Sequence, residues 1–442
     1  MEVTLMEMLQ ARETRALRQK WLLEQHQKPL ISFSMNIAGP VKDSPSIRRG
    51  FDMGLRELER VLAAEQIPCL SREVFRERTG CEALLVLDAP AEALKTLTTQ
   101  IEEANPLGRL FDMDVLDTAG QKLGRSAPRR CLICGEIAQV CARSRAHSVE
   151  QLQEKTGALL AQAIDTADCR FAAQMAQQAL LYEVGITPKP GLVDRQNNGS
   201  HRDMDFFTFQ RSAVALYPYL EACARQGRLT RQKAPAETFS ALRLLGKKAE
   251  GEMLAATGGV NTHKGAIFSL GVLCGALGRL EREQWTDSAR VLALCGQMTA
   301  GLLADFDIPG DTVGHQLYRE YGITGIRGQA AAGYPAVSEI GLPKLEAGLA
   351  RGLSLNDAAC CALLALMAGT EDTNMIHRGG VEAQREKAAE MAALLEKEPF
   401  PSRETMEKLD TAFRQENLSP GGAADLLAMT LMLWFLKGDT HV

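Results

Sequence analysis

Short apolar or alternating runs bounded by turn residues, over Leu30 to Ile37, Glu82 to Leu87 and Arg109 to Leu116, predict strands early in the chain, with a helical pattern from Ser46 to Ala64 among them. Beyond about residue 150 the runs lengthen to helical dimensions: Val149 to Leu181, Ala236 to Ala256, Lys264 to Leu280, Thr286 to Phe306, Leu355 to Ala368, Gly380 to Leu395 and Ala423 to Leu436. Polar, glycine-rich loops separate these segments. The change of grammar predicts two domains, an α/β or α+β domain over 1–168 and an all-α helical bundle over 169–442. No fixed-period repeat and no low-complexity linker marks the boundary.

A chain of 442 residues exceeds what one core usually fills, which agrees with two domains. With 50 basic and 55 acidic residues the net charge is -5, too mild to draw the whole molecule to nucleic acid or an anionic membrane. The first eight residues carry acids where a secretory signal needs a basic region, and the longest apolar stretch, within Ala423 to Leu436, is too short to span a bilayer. The expectation is a soluble cytoplasmic protein. Its 11 cysteines are expected to be reduced, with Cys274, Cys295, Cys360 and Cys361 packing as small hydrophobes.

Candidate chemistry concentrates between Glu183 and Asp205. Glu183, Asp194, Asp203 and Asp205 bring four carboxylates near Lys189, Arg195, His201 and Arg202, in a turn-rich stretch between apolar helices. Carboxylates suit Mg²⁺ and the cations suit phosphate, so the mixture points to a phosphorylated substrate; an ordinary solvated loop is the plain alternative. Three later segments open helices after glycine or proline. Thr257 to Gly265 offers Asn261, Thr262, His263 and Lys264; Thr370 to Gly380 offers Glu371, Asp372, Asn374, His377 and Arg378; Ser419 to Asp425 is the third. Free N–H groups and the positive dipole end at such starts favour anions, and three of them on one bundle imply a shared pocket.

In the first domain, strand alternation puts Asp112 and Asp114 on one face, where two carboxylates can share Mg²⁺ as nucleotidyl transfer requires. The small-residue turn Asn36 to Lys42 and the following Arg48-Arg49 are candidate phosphate contacts. Cys131, Cys134, Cys141 and His147, spaced Cys-x2-Cys-x6-Cys-x5-His, meet the ligand count of a structural Zn²⁺ site, against the alternative of unmetallated thiols.

Two resemblances follow from these motifs. Ala11-Arg12-Glu13-x-Arg15 with Gln19, Ser32 to Lys42, Arg49-x-Phe51, Pro106 to Val115 and Arg129-Arg130-Cys131 to His147 resemble apo-citrate lyase phosphoribosyl-dephospho-CoA transferase, which attaches a phosphoribosyl-dephospho-CoA group to a serine of an acyl carrier protein and releases pyrophosphate. That resemblance implies a nucleotidyltransferase-like domain, with Lys42, Arg49 and Arg109 among its substrate contacts. Pro188 to Met204, with the three helix openings, resembles triphosphoribosyl-dephospho-CoA synthase, which joins ATP to 3'-dephospho-CoA and expels adenine. Displacement at an anomeric carbon wants a carboxylate base, charge near the ribose and a clamp on the phosphates. Glu183, Asp203, Asp205, Glu371 and Asp372 are the carboxylate candidates, with Lys189, Lys264 and Arg378 for phosphate. Asp194, His201, Asn261, Thr262, His263, Asn374 and His377 complete the substrate-binding set.

Together the resemblances imply a bifunctional transferase that builds the citrate lyase prosthetic group and loads it onto the carrier (gamma) subunit, with Mg²⁺, ATP and dephospho-CoA. The competing expectations are the same chemistry serving malonate decarboxylase, and a zinc-containing interaction protein on a helical scaffold.

Overall fold

The computed structural model describes residues 2–125, 127–307 and 313–438, and the chain divides into two compact units, Met1–Ala167 and Asp168–Val442.

In the first unit the helices are α1 (Leu5–His26), α2 (Pro45–Ala64), α3 (Ala91–Ala104) and α4 (Ala138–Ser144), with the start of α5 (Val149–Gly185). Strands β1 (Leu30–Met35), β2 (Cys69–Glu77), β3 (Gly80–Leu87) and β4 (Phe111–Leu116) pair antiparallel throughout, in the order β2-β3-β1-β4. An antiparallel sheet with helices on its faces is α+β, so the α/β expectation falls away. The sheet has two unlike faces because side chains alternate along each strand. On one, Ile31, Phe33, Leu85, Met113 and Val115 pack beneath Phe51, Leu55 and Leu58 of α2 and Leu94 of α3. Phe33 stacks on Phe51 with centroids 4.8 Å apart and meets Phe111 edge-on at 5.4 Å. Gly54 permits this, since a Cβ there would lie 2.7 Å from the Phe33 ring. The other face has a small apolar patch, Leu30, Leu84, Val86 and Leu116, under Leu22 and Leu23 of α1, and is otherwise polar.

Among the described residues the second unit is helical: the remainder of α5, then α6 (Phe206–Ala215), α7 (Tyr217–Leu229), α8 (Pro235–Thr257), α9 (Lys264–Arg279), α10 (Ser288–Thr299), α11 (Val313–Tyr321), α12 (Gly325–Ala331), α13 (Leu342–Ala350), α14 (Leu355–Gly369), α15 (Thr373–Lys397), α16 (Arg403–Gln415) and α17 (Gly421–Gly438). Helices α9, α14 and α17 are apolar around most of their circumference and form the centre, as an all-round hydrophobic helix must. Helix α9 lies almost backbone to backbone on α7, where a Cβ on Gly278 would sit 1.9 Å from the Ala224 carbonyl. The segment expected as one helix from Thr286 to Phe306 is α10 followed by a 3₁₀ turn, Leu302–Asp307. Gly380, expected to begin a helix, instead breaks α15 with φ 88. No helix among the described residues is long and apolar enough to cross a membrane.

Candidate active site

The loop from Lys189 to Asp203 is held by a network its own sequence does not reveal. Asp194 accepts from the backbone N–H groups of Lys189, Gln196 and Asn197 at 3.1, 2.7 and 3.0 Å, closing a tight polar turn. Asp410 of α16, far along the chain, accepts from the Gly191 N–H at 3.1 Å and the Asn197 amide at 2.9 Å. Gly191 has φ +68, and a Cβ there would stand 2.2 Å from the Leu418 carbonyl, so only glycine fits. Asp194 is therefore a loop-forming residue, and the cavity wall comes from its neighbours.

That cavity, of about 540 Å³, is bounded by α5, the loop and the N-termini of α9, α15 and α17. Glu183, Lys189, His201, Asp203, Asn261, Thr262, His263, Lys264, Glu371, Asn374, His377 and Arg378 all line it. The three polar helix openings thus meet at one place, and the positive ends of their dipoles face it. Asp205 and Asp372 are not in the lining, for a structural reason. Asp205 caps α6, accepting from the Thr208 N–H at 2.7 Å, and the Thr208 hydroxyl is the first cause holding its carboxyl below the usual range. Asp372 caps two helices at once, accepting from Asn374 and Met375 of α15 at 2.9 and 3.1 Å and from Ala423 of α17 at 2.9 Å. It fixes the angle between two of the three openings.

Lys189 is 1% exposed; its ammonium donates to the Glu183 carboxylate and, at 2.8 Å, to the Glu183 carbonyl. His201 bonds Ser419 Oγ through Nε2 at 2.9 Å and Arg378 Nη2 through Nδ1 at 3.1 Å. An arginine only donates, so Nδ1 accepts and the proton sits on Nε2. Burial, then the Arg378 charge, pushes His201 down to about 4. His201 is thus a neutral spacer near neutral pH, and Arg378 carries the charge. Arg378 is oriented by the Ser200 and Asn417 carbonyls at 2.9 and 3.3 Å, with no carboxylate partner among the described residues. Lys264 reaches Glu250 at 3.1 Å on the surface. His263 is buried, its Nδ1 2.6 Å from Ser212 Oγ, and burial pushes it down to about 3. Asp425, on the second turn of α17, also lines the cavity. The sequence places it at the end of the third helix opening, Ser419 to Asp425, but assigns it no role, because one acid in an apolar helix does not by itself declare one.

In the first unit Asp112 and Asp114 lie on the polar face of the sheet, Asp114 opposite Ser32 and Asp112 opposite Ser34 of β1. Helix α1 supplies Gln19, donating to Ser32 Oγ at 2.9 Å, and Arg15, 3.0 Å from Glu82. Asp114 meets Lys122 at 2.5 Å and Asp112 lies 3.8 Å from Arg129. Lys42 is turned inward to the Ile37 carbonyl at 2.5 Å, and burial, then the nearby Arg12 charge, lowers its pKa. Two adjacent cations are an arrangement an anion relieves. Burial, then Arg129, also lowers Arg109, while Arg49 is half-buried on α2.

Among the described residues the only group of three or more metal-binding side chains whose ligand atoms lie within 4.8 Å of one another is Cys131, Cys134, Cys141 and His147. The first two sit on a tight hairpin whose Gly135 has φ 77, and Cys141 lies on α4. Cys134 Sγ is 3.4 Å from Cys141 Sγ and 3.2 Å from His147 Nε2. Hydrogen bonding, first from the Cys134 backbone, lowers Cys131 to about 6. Neither Asp112 with Asp114 nor Asp203 with Asp205 gathers a third ligand in this way.

A cavity ringed by helix N-termini, cations and carboxylates has the lining of a binding site for a charged small molecule. Residues 169–441 match the family described as CitG, ATP:dephospho-CoA triphosphoribosyl transferase, and residues 3–163 match CitX, apo-citrate lyase phosphoribosyl-dephospho-CoA transferase. The chain is 35% identical to Protein CitXG of Haemophilus influenzae, covering 99% of this chain and 97% of that one. It is 32% identical to Protein CitXG of Leuconostoc mesenteroides subsp. cremoris, covering 99% and 98%. Its second part is 41% identical to a probable 2-(5''-triphosphoribosyl)-3'-dephosphocoenzyme-A synthase of Vibrio cholerae, over 60% of this chain and 88% of that one. The chain belongs to the CitXG family, a fusion of CitX and CitG parts in that order, and it is a bifunctional transferase.

Proposed function

We propose that the part from residue 169 to 442 joins ATP to 3'-dephospho-CoA with loss of adenine, and that the part from 1 to 168 transfers the product to a serine of the apo-citrate lyase acyl carrier protein with release of pyrophosphate. The observation carrying this reading is the convergence of three helix N-termini with Arg378, Lys264 and the buried Lys189 on one cavity. A triphosphate needs positive charge close by, which the Arg378 and Lys264 side chains and the positive ends of the helix dipoles would supply. In this reading Asn374, His377 and Arg378 hold the triphosphate on the rim, with Asn261 and Thr262 beside them. Asp203 and Glu371 meet Mg²⁺ that arrives already bound to ATP, which needs only one or two protein carboxylates. Asp194, Asp205 and Asp372 act by positioning.

In the first part Asp112 and Asp114 would take the metal in a nucleotidyltransferase-like site, with Lys42, Arg49 and Arg109 near the phosphates. The CitX match favours citrate lyase over malonate decarboxylase, and two enzyme families side by side leave little room for an interaction protein. Incubation of the full-length protein with ATP, Mg²⁺ and dephospho-CoA should release free adenine, read by chromatography. Adding apo-carrier should then raise the carrier's mass and release pyrophosphate. A preparation that yields no adenine would refute the assignment.

The Cys/His cluster is read as a structural Zn²⁺ site, because three thiols and an imidazole so close together match a closed tetrahedral shell. Protein purified without chelators should contain about one zinc per chain, and Cys134→Ser should lower that content and the melting temperature. Zinc-free wild-type protein would end this reading.

A further inference from the structure

We propose that Asp425 is the acid that hands a proton to the departing adenine, an inference that rests on the adenine-releasing reaction above. Two acids meet in the cavity under opposite conditions. Glu183 is tied to the Lys189 ammonium. Asp425 has no cation partner among the described residues, and the charges that act on it, those of Glu183 and Asp372, are both acidic. Its carboxyl lies against the first turn of α9, where a Cβ on Gly265 would be 1.9 Å from Oδ2. Burial, then the Glu183 charge, pushes the Asp425 carboxyl well above the usual carboxylate range, against the Ala266 N–H that opposes the shift. Of two neighbouring carboxylates, one paired with a cation and one buried without a cation, the second is placed to serve as the acid.

A second side chain points to a ligand in the same place. His263 is 3% exposed, it lines the cavity, and its Nε2 has no hydrogen-bond partner among the described residues. Thr262 Oγ1 donates to Ser212 Oγ at 2.8 Å, so the Ser212 hydroxyl is free to donate to His263 Nδ1 at 2.6 Å. The single proton of the neutral ring then sits on Nε2, a buried donor awaiting an acceptor. A purine or ribose supplies one, beside the apolar wall of Leu180, Phe209 and Leu426.

The step balances without any further reactant. The bond from ribose C1 to adenine breaks, its electron pair stays on the base, and the Asp425 proton neutralises it. The bond from C1 to the dephospho-CoA hydroxyl forms, and the hydroxyl proton passes to Glu183. Return of one proton from Glu183 to Asp425 through solvent resets the site.

The test compares two donors in the full-length protein with dephospho-CoA: ATP, and the same ribosyl triphosphate carrying 4-nitrophenolate in place of adenine. Nitrophenolate leaves as a stable anion and needs no acid. Asp425→Asn should lose ~10²-fold or more in adenine release and only a few-fold in nitrophenolate release. In the wild type, adenine release should fall as pH rises through the Asp425 titration while nitrophenolate release does not. The groups around Asp425 are Glu183, Lys189, His263, Lys264, Asp372 and Tyr334, and they are common to both donors. Equal losses with both donors, or wild-type adenine release by the variant, overturn the proposal. If the variant does not fold, matching wild-type pH profiles for the two donors overturn it instead. A wild type that transfers from neither donor overturns the underlying reaction as well.

Discussion

Lys189→Met is expected to abolish adenine release and to lower the stability of the second unit by about 3–5 kcal/mol, because removing one member of a buried ion pair leaves the other charge uncompensated. Glu183 is 5% exposed and Lys189 1%, so water cannot replace the lost partner. For a unit of this size the melting temperature should drop by roughly 5–9 °C in calorimetry. The double variant Lys189→Met with Glu183→Gln removes both charges and should recover most of the stability but none of the activity. A single variant that melts with the wild type would mean that the pair is solvated.

Asp114→Asn is expected to stop loading of the carrier with preformed precursor by ~10²-fold or more, the usual scale for losing a metal-bound or proton-handling carboxylate, while adenine release continues. Unfolding cannot account for that outcome. The Asp114–Lys122 pair has side chains 26% and 59% exposed, and such a surface pair contributes about 0–1 kcal/mol. Asp203→Asn should give the opposite pattern, losing adenine release and keeping loading. Wild-type loading by Asp114→Asn would make the paired-aspartate strand a structural feature.

Three of the four strands were legible because their apolar runs are short and bounded by turns. β2 was not, since Cys69–Glu77 is an edge strand, half exposed on both faces and without an apolar run. Helix α1 carries Leu5, Leu17 and Trp21 on its exposed side and buries only Leu22 and Leu23, so its periodicity is weak. In the candidate site the charged motifs were readable, but the jobs of their members were not. Asp194, Asp205 and Asp372 look like Asp203 in sequence, and only hydrogen bonds to Asn197, Thr208 and Ala423 distinguish a loop former or cap from a cavity carboxylate. The anchoring of the loop by Asp410 joins residues 219 apart, a pairing that local pattern cannot express.

That long-range anchoring also fixes when a newly made chain can first bind its substrate. The loop at Gly191 emerges early in synthesis of the second unit, yet Asp410, Leu418 and Ser419, which hold it, come more than two hundred residues later. At ~5–20 residues per second the loop waits on the order of 10–40 s for them. Throughout that interval the nascent chain carries the loop without the wall that shapes it, so the cavity cannot take form until those later residues have been made.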